Sequence, residues 1–154
     1  MKQVYLSLGS NVGDKAKNLA AAITELNKLE STKVVKHSKN FETQGVDVPE
    51  GTPPFLNVAV ELDTELAPVD LLEETQAIEI KLGRTEKNSF APRTLDIDLL
   101  FYGEDIILDE DLTVPHPLLH ERYFVLAPLS EIAPDFIHPV MGESVKVLLS
   151  ALSD

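Results

Sequence analysis

The chain contains no cysteine and no tryptophan. The first absence rules out a disulfide framework and any thiolate metal site or thiol nucleophile. Positive charge is scarce, with 13 Lys and Arg against 26 Asp and Glu, for a formal net charge of −13. Non-specific nucleic-acid binding needs basic surface, so nucleic acid is not an expected partner. A global field of this sign also repels anions, so an anionic ligand must be met by a local positive site. No apolar run approaches the ~20 residues that span a bilayer, and no membrane association is expected. The opening MKQVYLSLGSN lacks the apolar stretch and cleavage site of a secretion signal, so a cytoplasmic location is expected. Linkers, repeats and low-complexity tracts are missing too, and 154 residues suit a single domain covering 1–154.

What is present alternates strand and helix patterns. Val4, Leu6 and Leu8 alternate with Tyr5 and Ser7 in a first strand that stops at GSNVGDK. Gly9, Ser10 and Asn11 read there as a turn shaping a mobile loop. Asp14 can cap a helix whose apolar positions are Ala16, Leu19, Ala20, Ile23, Leu26 and Leu29. A second strand is predicted over 33–42, a Gly- and Pro-rich loop after it, and a third strand over 55–62. Pro68 suits the first turn of a second helix with Leu71, Leu72, Thr75, Ile78, Ile80 and Leu82 as its apolar set, ending at Gly83. After a loop over 84–92 comes a strand, then loop and short helix, then a last short helix near 143–152. The order β-α-β-β-α-β predicts a ferredoxin-like α+β domain with an antiparallel sheet, helices packed on one face, and a C-terminal extension.

The strand after the loop, in RTLDIDLLFYG, carries Asp96 and Asp98 inside an apolar run. Residues two apart share a face, so the two carboxylates project together, roughly 6–7 Å apart along the strand. Leu95, Ile97, Leu99 and Phe101 are expected on the other face. Two neighbouring like charges call for a cation or a proton. Mg²⁺ suits them, since it takes hard oxygen ligands and combines one or two carboxylates with substrate phosphates. On its own, D-x-D reads equally well as the wet face of an amphipathic strand. Only three arginines exist, Arg84, Arg93 and Arg122, and two of them bracket the loop before this strand. A guanidinium fork matches phosphate oxygens. Together these point to phosphoryl or pyrophosphoryl transfer. A metal-dependent phosphohydrolase or a nucleotide-binding regulatory module remains open at this level.

In LGSNVGD, FLNVAVEL, LGR at 82–84, APRTLDIDLLFYG and VPHPLLHERYFVLAPLSEIAP, taken in order along the whole chain, the sequence resembles the 6-hydroxymethyl-7,8-dihydropterin pyrophosphokinases of folate biosynthesis. The resemblance implies transfer of pyrophosphate from ATP to the pterin hydroxymethyl group, with AMP released. It implies that Asp96 and Asp98 ligate two Mg²⁺ ions, with Asp96 also close to the pterin. Arg84 and Arg93 would stabilise the transferring group and also bind ATP. Gln76, Glu79, the Leu99 backbone, Thr113, His116 and Arg122 would complete the ATP site. Phe55 and Phe124 would sandwich the pterin ring, Asn57 would read its amide edge, and Thr43, Gln44, Gly45 and Val46 would complete recognition. Read without the resemblance, Phe55 and Phe124 are ordinary core candidates and His116 an ordinary loop histidine. Asn57 is harder to place that way, because a buried amide needs partners. The implied partners are these two small substrates, and a monomer is expected. Loops 9–15, 43–54 and 84–92 are expected to close over them. Phe90 stands where many members carry tryptophan, Ser89 where a base is common, and Glu86 adds charge, which bears on loop closure and not on the metal strand.

Overall fold

The computed structural model describes residues 1–43, 54–83 and 95–152. Strand β1 (Lys2–Ser10) runs two residues further than its apolar alternation suggests, so Gly9 and Ser10 are strand and not turn. Asn18 holds this end by donating from Nδ2 to Ser10 Oγ (3.1 Å) and to the Val12 carbonyl (2.9 Å). Helix α1 (Lys15–Leu26) starts as expected, with the Asp14 carboxylate accepting from the Lys17 N–H at 3.2 Å. Its buried stripe is Leu19, Ala22 and Leu26, while Ala16 and Ala20 face solvent.

The single strand expected over 33–42 is two strands, β2 (Thr32–His37) and β3 (Phe41–Thr43). Ser38 divides them: its N–H donates to the Ala59 carbonyl (2.9 Å) and its hydroxyl accepts from the Ala59 N–H (3.0 Å). Both pair with the long β4 (Phe55–Thr64). Helix α2 (Pro68–Lys81) buries Leu71, Thr75, Ile78 and Glu79. The expected core residue Ile80 is 63% exposed, because Glu79 takes the inward position beside Ile78. Strand β5 (Asp96–Tyr102) is followed by a small ribbon that periodicity did not reveal, β6 (Ile107–Leu108) with β7 (Thr113–Val114). A 3-10 turn (Leu119–Glu121), α3 (Tyr123–Ile132) and α4 (Val145–Ala151) complete the chain.

The sheet order is β2-β4-β1-β5, antiparallel throughout, with β3 also on β4. The unit β1-α1-β2 is thus split by β4. One face packs Leu6, Leu8, Val60 and Ile97 under α1 and α2. Helices on one face alone were expected, but α3 and α4 cover part of the other face, against Tyr5, Ala59, Leu100 and Phe101. Phe101 also departs from the expected face. Tyr5 pairs with Phe101 and Leu6 with Leu99, so Leu100 is an extra residue, a bulge that flips the strand's later side chains. Among the described residues, no helix is long and apolar enough to cross a membrane.

Candidate active site

The site is built on the register of three strands. Gly9 of β1 lies opposite Asn57 of β4 on one side and Asp96 of β5 on the other. Two residues along, Ser7 lies opposite Ala59 and Asp98. Directly opposed residues share a face, so Asn57, Asp96 and Asp98 project to the side that carries α3 and α4. The paired projection of the two carboxylates is therefore as the strand period implied. Both are half-buried, and Ile97 between them points into the opposite core.

Asn57 is 3% exposed, and its Nδ2 donates to Thr43 Oγ1 at 2.8 Å. That bond fixes which way the amide points. Among the described residues no hydrogen bond is made to its Oδ1, an acceptor that burial makes costly to leave unmet. Phe55, opposite Thr43, shares the Asn57 face by alternation and is half-exposed. Phe124 belongs to the first turn of α3, which packs on β3 and β4 on this same side. The Arg122 guanidinium lies 5.6 Å from the Phe124 ring centroid. Thr43, Phe55, Asn57 and Phe124 are thus brought to one side of the sheet.

On the β5 side, the bulge has a second effect. The Leu100 carbonyl accepts from the His116 backbone N–H at 3.0 Å, tying the VPHP segment to the aspartate strand. The Leu118 N–H donates to His116 Nδ1 at 3.2 Å, which leaves the hydrogen of the neutral imidazole on Nε2. Burial holds the His116 pKa below the ordinary histidine range; Asp98 opposes this and Arg122 adds to it. His116 therefore lies within electrostatic reach of both groups. Thr113 is half-buried on β7, which packs against β5. The Leu99 side chain is in the α1/α2 core, so only its backbone can face a ligand.

Gln76 is half-buried on α2. Glu79 is 5% exposed, and its Oε2 accepts from the Ile97 N–H at 2.9 Å. This carboxylate grips β5 at the peptide between the two aspartates. The sequence held a signal for it, since Glu79 falls on the same helical stripe as Leu71, Thr75 and Ile78. Arg84, Arg93, Gln44, Gly45 and Val46 lie outside the described residues, as do Glu86, Ser89 and Phe90.

Two carboxylates on one face, half-buried and held from behind, fit a hard divalent cation. Among the described residues no group of three or more acidic, histidine or cysteine side chains is arranged to hold a metal. Two carboxylates with the remaining positions left to phosphate oxygens and water match the habits of Mg²⁺.

Carboxylates thus lie on one side of β1, and an amide with aromatic rings on the other. The family model described as 7,8-dihydro-6-hydroxymethylpterin-pyrophosphokinase (HPPK) matches residues 5–134. The 2-amino-4-hydroxy-6-hydroxymethyldihydropteridine pyrophosphokinase of Methylorubrum extorquens is 44% identical over 155 residues, covering 99% of this chain and 94% of that protein. Its Bacillus subtilis counterpart is 47% identical over 128 residues, 83% of this chain and 76% of that one. A solved structure of Plasmodium falciparum HPPK-DHPS superposes with a TM-score of 0.76 at 16% identity, over 98% of this chain but only 43% of the longer one. The chain belongs to the HPPK family.

Proposed function

We propose that this chain transfers the pyrophosphoryl group of ATP to the hydroxymethyl oxygen of 6-hydroxymethyl-7,8-dihydropterin, giving AMP and the pterin diphosphate of folate biosynthesis. Family membership over nearly the whole chain supports the reaction. The observation that carries the site is the row Asn57–Gly9–Asp96, which sets an amide reader and a carboxylate one strand apart on each side of a bare glycine.

In this reading the pterin lies between Phe55 and Phe124, a use suited to flat aromatic faces. Asn57 pairs with its amide edge, Asp96 lies near it, and residues 43–46 complete its recognition. Asp96 and Asp98 would hold two Mg²⁺ ions, which would offset the charge of the phosphates. The hydroxymethyl oxygen forms a bond to the β-phosphorus, the bond from that phosphorus to the α,β-bridging oxygen breaks, and AMP departs. The hydroxyl proton passes to solvent, as among the described residues no histidine is placed as an obvious general base. His116 donates from Nε2 to a phosphate oxygen. Arg84, Arg93 and Arg122 offset charge along the phosphates, while Gln76, Thr113 and the Leu99 backbone face the nucleoside. Catalysis is mostly positioning and charge stabilisation. The strand order supports a ferredoxin-like fold, and a cytoplasmic monomer is the proposed working form.

The test is AMP release from Mg-ATP with and without the pterin. Pterin-dependent AMP is expected. Inorganic phosphate as the product would instead mark a hydrolase, and ATP binding without AMP a regulatory module.

A further inference from the structure

We infer that Gly9 is a specificity-determining positioning residue, whose lack of a side chain lets Asn57 Oδ1 stand where it meets the edge of the flat ring. This deepens the pterin reading proposed above and rests on it. Glycine inside a strand weakens it and usually marks either an unusual backbone or a close approach. Gly9 is not among the residues with positive φ, so conformation does not demand glycine here. Space does. A methyl group on Gly9 would lie 3.0 Å from Asn57 Oδ1, inside the normal carbon–oxygen contact distance, and 4.0 Å from the Leu56 carbonyl oxygen.

Asn57 has little freedom to yield. It is 3% exposed, and its Nδ2 is engaged by Thr43 Oγ1 at 2.8 Å. A Cβ at position 9 would therefore oblige Oδ1 to give by a few tenths of an ångström, against the hold of the Thr43 bond. The atom displaced is the acceptor that has no hydrogen bond among the described residues. A buried acceptor of this kind implies a donor brought by a ligand. The geometry points to a planar heterocycle that presents a ring N–H at its edge to Asn57 Oδ1. A Cβ on Gly9 would have neither carboxylate within 4 Å, so its addition should penalise the ring and spare the nucleotide.

The test is a double-mutant cycle of Gly9→Ala and Asn57→Ala in the full chain, with urea midpoints recorded for each variant. Pterin Kd is titrated with Mg²⁺ and a non-hydrolysable ATP analogue present, and the analogue's Kd is measured separately. Gly9→Ala should raise the pterin Kd at least tenfold and leave the analogue's Kd within twofold. Placed on Asn57→Ala, the same change should cost less than threefold more, because its target is gone. A pterin Kd within twofold of wild type for Gly9→Ala, or an equal loss in both backgrounds, overturns the inference. Should Gly9→Ala not fold, the comparison of Asn57→Ala with the double variant still decides, a further loss above threefold counting against it. Pterin-dependent AMP release by the wild type checks the underlying function separately. If that release stands while Gly9→Ala binds normally, only the Gly9 assignment falls.

Discussion

Each functional side chain does a job that its neighbours permit. Asp96 and Asp98 were legible from sequence because a strand's period of two is fixed by the pleat, whatever surrounds it. Phe101 was not legible, because its face depends on a bulge set by how β5 pairs with β1. Gly9 was misread as a turn because nothing local says that β1 continues to Ser10. Asp98→Ala is expected to reduce AMP release by on the order of 10²–10³-fold or more while the circular-dichroism melt stays cooperative. Near-normal turnover in that variant would remove Asp98 from metal binding. Arg93→Ala should lower kcat far more than it weakens ATP binding, as suits a group that meets charge developing in the transition state. A change confined to the ATP Kd, read by titration beside single-turnover rates, would contradict that role.

Elements matter here through what holds them in register. Strand β5 is fixed from both faces: Leu95, Ile97 and Leu99 anchor it under α1 and α2, and the Leu100 bulge is met by the His116 N–H. The remaining tie is Glu79, whose carboxylate accepts the Ile97 N–H from α2. Order and type of the main helices and strands were readable because their apolar periods are long. The break at Ser38 and the β6–β7 ribbon were not, since a hydroxyl bonded to Ala59 and two-residue strands leave no periodic trace. Glu79 was assigned to the nucleotide by resemblance, and in the structure one bond it makes is to the aspartate strand. Glu79→Ala should cost about 1–3 kcal/mol of stability by leaving a buried donor unmet. It should also raise the Mg²⁺ concentration needed for half-maximal rate, because the carboxylates lose their support. Glu79→Gln keeps an oxygen for the Ile97 N–H and should recover most of the stability. Urea midpoints with Mg²⁺ titrations check this, and an alanine variant as stable as wild type would show that the tie carries no weight.

At the scale of the whole molecule, two cores share one sheet, and the C-terminal core is the one that a β-α-β-β-α-β reading undervalued. It holds α3 over the site side, so its stability bears on Phe124 and Arg122. Within the segment between α3 and α4, His138 is 4% exposed, lies 5.4 Å edge-on from Phe101, and accepts through Nδ1 from the N–H groups of Val140 and Met141, each at 3.1 Å. Its pKa is held down, first by burial and then by His120. The folded protein therefore keeps this imidazole neutral where the unfolded chain would protonate it. The stability it contributes is complete above the unfolded value of about 6.5 and is lost as the pH falls through the folded value, by up to about 1.4 kcal/mol per pH unit. Acid also relieves the self-repulsion of a chain of charge −13, which acts in the opposite direction. His138→Asn separates the two effects. An Asn side chain can accept from the backbone two residues on, as in an Asx turn, yet it does not titrate. The variant should show a smaller fall in urea midpoint between pH 7.5 and pH 5 than wild type, with similar stability at the upper pH. Equal slopes for the two proteins would mean that the acid response arises elsewhere and that His138 is only a turn-forming side chain.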